Sequence, residues 1–144
     1  MLREKLTIDA KNTILGRLAS KVAKYLLLGR EVFIVNAEQA LISGSLQKAK
    51  EKYLKRLTQK HKADPSRSPK WPKEAHRLLK RIIRGMLPKK TSRGKSALKR
   101  LKVFMGIPKE LENEKFLTFS EFLGLSKRKT FSLLDLCREI GYKK

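Results

Sequence analysis

Residues 6–35 run LTIDAKNTILGRLASKVAKYLLLGREVFIV, and this stretch decides the fold class. Leu6-Thr7-Ile8-Asp9-Ala10 reads as a short strand. Leu15, Leu18, Ala19, Val22, Ala23 and Leu26 then recur at helical spacing, with Arg17, Lys21 and Lys24 on the opposite side. Gly29 stands where glycine commonly ends a helix. Glu31-Val32-Phe33-Ile34-Val35 is apolar without alternation, the pattern of a strand covered on both faces. Strand, helix and strand so closely joined form a βαβ unit, which implies an α/β fold with a parallel sheet and a right-handed crossover.

Working outward, Leu41-Ile42-Ser43 is a third short strand. A helix follows from about Ser45 to Leu57, buried through Leu46, Ala49, Tyr53, Leu54 and Leu57. Residues 58–72 form a basic loop, in which Pro65, Pro69 and Pro72 prevent regular structure and Lys60, Lys62, Arg67 and Lys70 carry charge. The spacing then predicts a helix over Lys73 to Leu87. Its apolar residues (Ala75, Leu78, Leu79, Ile82, Ile83 and Met86) span about 140° at 100° per residue. Lys73, Arg77, Lys80, Arg81 and Arg84 occupy about 100° on the other side. Pro88 ends this helix. Ser92 to Arg100 reads as a short basic helix, and Leu101 to Met105 as a further strand ended by Gly106 and Pro108.

Residues 109–144 form a C-terminal extension with weaker patterning. Phe116 to Leu125 is apolar, suited to a strand or a short helix. Ser132 with Asp135 three residues on has the form of a capping box, and Leu133, Leu136, Cys137 and Ile140 continue an apolar stripe that docks a last helix on the core. Gly141 closes it, and Lys143 and Lys144 trail. At 144 residues, a single domain over 1–144 is expected.

The charge is unevenly placed. Lys and Arg number 36 against 13 Asp and Glu, a formal +23. Residues 1–47 carry a net +3, residues 48–102 a net +18 and residues 103–144 a net +2. So many uncompensated charges in one middle segment oppose compaction unless a polyanion neutralises them. Release of the polyanion's condensed counterions then adds to affinity. Nucleic acid is the first such partner and an anionic membrane surface the second. No apolar run reaches the ~20 residues needed to span a bilayer. Met1 to Ala10 is charged and unlike a secretory signal, so a soluble, cytoplasmic protein is expected.

Chemistry-bearing patterns are sparse. Asn12-Thr13-Ile14-Leu15-Gly16-Arg17 is neither a dinucleotide fingerprint nor a P-loop, and Gly16 is better read as a helix start or a packing position. One Cys and two His give no zinc set. His61 and His76 read as exposed and core-edge histidines, with a phosphate or base contact as the other reading. Cys137 reads as a small buried hydrophobe. Asp9, Glu31, Glu38 and Glu51 form no recognisable acid–base pair. No catalytic residue, metal or cofactor is therefore assigned.

The basic segment does carry a specific reading. Arg77, Lys80, Arg81 and Arg84 on one rigid helix can span adjacent phosphates, and arginine's planar fork suits them. Lys70 and Lys73 flank Trp71, which either stacks on an unpaired base or anchors the loop between Pro69 and Pro72. Lys89, Lys90, Arg93, Lys95, Lys99 and Arg100 extend the surface. The segment's only aromatics are Tyr53 and Trp71, which favours recognition of backbone and shape. Charge alone does not separate RNA from DNA.

Ile83-Arg84-Gly85-Met86-Leu87-Pro88, followed by Lys89-Lys90-Thr91 and Gly94-Lys95, resembles the large-subunit ribosomal protein family numbered thirteen. The resemblance continues through Ala97 to Phe104 and Gly106-Ile107-Pro108. Earlier blocks agree: Ile8-Asp9-Ala10, Leu15-Gly16-Arg17-Leu18-Ala19, Val35-Asn36-Ala37-Glu38 and Ile42-Ser43-Gly44. Together they cover most of residues 6–108, and the length and the Trp71-Pro72 loop look archaeal or eukaryotic. The resemblance implies a three-layer α/β/α fold around a small, mostly parallel four-stranded sheet with basic extensions. It implies no catalysis, no cofactor and no small-molecule substrate. Its implied role is structural, in the ribosome, binding large-subunit ribosomal RNA, touching neighbouring ribosomal proteins and supporting assembly. The basic positions carried over are Arg84, Lys89, Lys90, Arg93, Lys95, Lys99 and Arg100; Arg77, Lys80 and Arg81 rest on helix geometry. The competing functions are an RNA-acting enzyme on a βαβ scaffold and an architectural DNA-binding protein.

Overall fold

The computed structural model describes residues 4–119, 121, 123 and 129–143. Strand β1 (Lys5–Asp9), helix α1 (Leu15–Leu27) and strand β2 (Glu31–Val35) form the expected βαβ unit, with β1 and β2 paired in parallel from Lys5 opposite Glu31 to Asp9 opposite Val35. After β3 (Leu41–Ser43) and α2 (Leu46–Thr58), the chain runs through the proline-rich segment to α3 (Ala75–Met86). It continues through α4 (Ser92–Lys99) and β4 (Leu101–Val103) and ends in β5 (Thr130–Ser132) and α5 (Leu133–Glu139). The β4 strand pairs in parallel with β2, so the sheet order is β1-β2-β4.

The α/β class and the parallel pairing are as expected, and two details differ. The parallel sheet has three strands. On the outer edge of β1 stands only a bridge between Ile8 and Leu117, where the Leu117 amide donates to the Thr7 carbonyl at 2.8 Å. That bridge lies within the expected Phe116–Leu125 element, of which 120, 122, 124 and 125 lie outside the described residues, as does Lys144. Leu41–Ser43 belongs to a separate pair, antiparallel with Thr130–Ser132.

The second difference concerns the layers. Val32 and Ile34 of β2 face the main core, to which all five helices contribute. The alternate residues Phe33 and Val35 face a small second cluster with Leu111, Phe104 and Phe116. Among the described residues, this second face is covered by the segment 104–117, with one 3-10 turn at Lys109–Leu111, instead of by an α-helix.

Local chemistry explains the helix ends. α1 closes in a Schellman motif: Gly29 has φ +94°, its amide donates to Leu26 at 3.2 Å, and Arg30 donates to Tyr25 at 3.2 Å. α5 begins in the expected capping box, Ser132 and Asp135 each accepting the other's amide. α2 departs from expectation, because none of its side chains is fully buried and Leu54 is 37% exposed. It packs on the core through Leu46, Ala49, Tyr53 and Leu57.

Candidate nucleic-acid interface

α3 has the predicted two faces. Ala75, Leu78, Leu79 and Ile83 are completely buried, each large side chain contributing about 1.5–3 kcal/mol to the docking. Ile82 is half-buried and Met86 is 44% exposed, so the buried arc is narrower than the periodicity suggests. Leu87 turns back into the core, and Pro88 leads into a turn closed by Thr91. The Thr91 hydroxyl accepts the Gly94 amide at 3.2 Å and so caps α4. A Cβ on Gly94 would stand 2.0 Å from the Pro88 carbonyl oxygen, so only glycine admits this approach. The turn that leads from α3 into α4 is thereby fixed.

Between the two helices lies a groove of about 450 Å³ lined by Lys80, Arg84, Lys89, Lys95 and Lys99 over Leu87, Gly94 and Leu98. Five of its eight lining residues are cationic, and no carboxylate lines it among the described residues. A neighbouring cavity of about 340 Å³ shares Arg84 and Lys89 and adds Tyr53, Arg56, Trp71, Arg81, Ile82 and Gly85. There the guanidinium carbons of Arg81 and Arg56 lie 3.8 and 4.5 Å from the Trp71 ring centroid. Tyr53 meets Trp71 edge-on at 5.9 Å. Burial raises the Tyr53 pKa, opposed by Arg56. Burial also lowers that of Arg81, helped by the charges of Arg84 and Arg56.

The sequence-predicted residues thus sort into groups. Lys80, Arg84, Lys89, Lys95 and Lys99 come together in the groove, with Arg81 and Trp71 beside it. Lys73 and Arg77 line a shallower hollow with Trp71, Gly141 and Lys143, where Arg77 is already paired with Glu74 at 2.8 Å. Lys70 is exposed, its carbonyl accepting Arg81 Nη1 at 2.7 Å, and Lys90 is exposed on the turn before α4. Arg93 and Arg100 point to α1 instead: their Nη2 atoms donate to Leu27 at 3.3 Å and Leu26 at 2.8 Å, the last carbonyls of that helix. Trp71 is half-buried and held by protein groups, the arrangement of a loop anchor. Sequence reasoning missed Arg56. Its only local signal is its place three residues after Tyr53 on a lysine-rich helix.

The other singled-out residues serve the framework. Gly16 is exposed in the first turn of α1 and a Cβ there would meet nothing, so it is a helix start and not a packing position. Asp9 accepts the Asn36 side-chain amide at 3.0 Å, and Glu38 accepts the Gly106 amide through both oxygens at 3.1 and 3.0 Å. His61 is exposed, and His76 is partly buried beside Glu74. Among the described residues, no group of His, Cys, Asp and Glu is placed to hold a metal ion, and no helix is long and apolar enough to cross a membrane.

The elements that build this groove are those that known proteins share. The family described as Ribosomal protein L13 matches residues 3–110, which include both lining helices and the whole parallel sheet. Among curated proteins, "Large ribosomal subunit protein uL13" of Methanococcoides burtonii is 45% identical over 138 residues, covering 94% of this chain and 97% of that protein. The protein of the same name from Archaeoglobus fulgidus is 40% identical over 139 residues (94% and 87%), and that from Methanopyrus kandleri 36% over 140 residues (94% and 86%). With a family match over residues 3–110 and relatives similar over 94% of its length, the chain belongs to the Ribosomal protein L13 family.

Proposed function

We propose that this protein acts as a structural constituent of the large ribosomal subunit, binding large-subunit ribosomal RNA through the groove between α3 and α4 and so supporting subunit assembly. The family is one of structural ribosomal proteins, not of enzymes. The observation that carries the reading is the convergence of Lys80, Arg84, Lys89, Lys95 and Lys99 along one groove without a carboxylate. Their stems stand on two helices docked on the same core and, for Lys89, on the turn that joins them, so the charges meet RNA as a shaped surface suited to a backbone more than to base edges. Lys70, Lys73, Arg77, Arg81 and Lys90 extend this surface. Arg93 and Arg100 brace the end of α1. Trp71 anchors the basic loop, and the remaining surface meets neighbouring ribosomal proteins.

Two measurements test this. Salt-washed large subunits retain the protein, and subunits assembled without it are defective; its absence from such particles, with normal assembly, overturns the proposal. In competition at one fixed salt concentration, folded large-subunit RNA displaces duplex DNA. The reverse order would favour an architectural DNA-binding role.

A further inference from the structure

We propose that Arg56 and Arg81, which lie over the Trp71 ring, and Arg84, which lines the same cavity, grip one backbone phosphate of the bound RNA. The proposal rests on the RNA-binding reading above and adds a residue, Arg56, that no sequence motif marks. It stands on three observations.

First, the three guanidinium groups come from two helices, α2 and α3, and line one cavity of about 340 Å³. That is roughly eleven water volumes, room for a phosphodiester group and part of its sugar. None of the three has a carboxylate partner among the described residues, whereas the neighbouring Arg77 does. Bringing like charges together beside a half-buried ring is unfavourable in the free protein, and an oxyanion between them removes the repulsion.

Second, the arginines are held in place before any ligand arrives. Arg81 and Arg56 both lie over Trp71, and Arg81 Nη1 is fixed to the Lys70 carbonyl. A guanidinium has five N–H donors, so Arg81 keeps four for a ligand. Trp71 is thus a positioning residue, its ring engaged by guanidiniums and not open to a base.

Third, Gly85 forms part of the wall. It is the next-to-last residue of α3, and a Cβ there would meet nothing within 4 Å. Among the described residues no packing requires a glycine at this point, and its missing side chain leaves this wall of the cavity open.

Trp71 is the single tryptophan of the chain, so its emission reads the cavity directly. The full-length protein is titrated with a folded large-subunit RNA fragment and, separately, with inorganic phosphate. RNA shifts Trp71 emission in step with binding measured by filter retention. Arg56→Gln and Arg84→Gln each weaken RNA binding about tenfold, and the double variant loses less than the product of the two, because both residues hold the same phosphate. The salt slope falls by ~0.7–0.9, the value of one phosphate. Arg84 is exposed, so its variant folds even if Arg56→Gln does not, and circular dichroism checks both. Trp71→Phe keeps a flat ring and a slope near the native one, whereas Trp71→Leu does not.

Unaltered affinity and slope in Arg56→Gln, or fully multiplicative losses in the double variant, overturn the clamp while leaving the groove intact. An emission response to inorganic phosphate but none to RNA also overturns it, in favour of a free-oxyanion site. Failure of the unaltered protein to bind RNA at all overturns the functional reading and the clamp with it.

Discussion

Arg100 Nη2 donates to the carbonyl oxygen of Leu26 at 2.8 Å, tying the residue just before β4 to the last turn of α1. The bond places a cation at the negative end of a helix and adds a second donor to a carbonyl that already accepts the Gly29 amide. Arg100→Ala is expected to lower stability by about 1–2 kcal/mol, read from urea unfolding. The salt slope of RNA binding should change less than in Arg84→Ala.

Arg84 and Arg77 stand two turns apart on α3 with different surroundings. Arg84 faces the groove, and Arg77 is paired with Glu74. Arg84→Ala should therefore flatten the salt dependence of RNA binding by about one phosphate's worth, with Arg77→Ala giving a smaller change. Equal slopes would remove this distinction between the two arginines.

Gly94→Ala introduces a methyl group where the Pro88 carbonyl oxygen is only 2.0 Å away. The backbone of the turn must move, at a cost of about 1–3 kcal/mol. A lowered Tm and weaker RNA binding should appear together, because the same shift opens the groove. A charge buried at Ile83, which is 0% exposed, should prevent folding altogether, as Ile83→Asp would show in circular dichroism.

Glu114 accepts hydrogen bonds from Lys5 and from the Thr7 hydroxyl, which hold its carboxyl below the ordinary 4.5. A carboxylate depressed by folding stabilises the protein above its unfolded pKa, and that contribution is lost as pH falls through the folded value. Stability measured from neutral pH downward should hold to about pH 4.5 and decline below it, and Glu114→Gln should flatten that decline.

Burial pushes the Cys137 thiol up to about 11. In the folded protein at neutral pH it is expected to resist alkylation, with labelling that follows unfolding as urea is added. Rapid labelling without denaturant would contradict its packing between Leu136 and the core.

What the sequence disclosed was local. The two faces of α3, the Ser132–Asp135 box and the apolar run of β2 each follow from residue spacing within one element, and spacing survives folding unchanged. The pairing of Leu41–Ser43 with Thr130–Ser132 did not emerge, since two three-residue strands so far apart carry no mutual signal. Nor did the cover on Phe33 and Val35, because the segment 104–117 is irregular and lacks a period. Charge density marked out the basic segment but not where each cation in it would lie. Lys95 and Arg93, two residues apart on α4, face the groove and α1 respectively. Arg56 joins the site only because α2 lays it over Trp71.

Where Gly94 meets Pro88, a main-chain contact, with the Thr91 cap beside it, sets the gap between the end of α3 and the start of α4. A cleft whose floor is gauged by a backbone contact keeps that gauge as its rim side chains change. On the function proposed above, it would admit a strand by the curvature and pitch of its sugar–phosphate ribbon, and not by the order of the letters that ribbon carries. On that reading, selection at this surface is of a particular bend in a folded nucleic acid, wherever in the text it occurs.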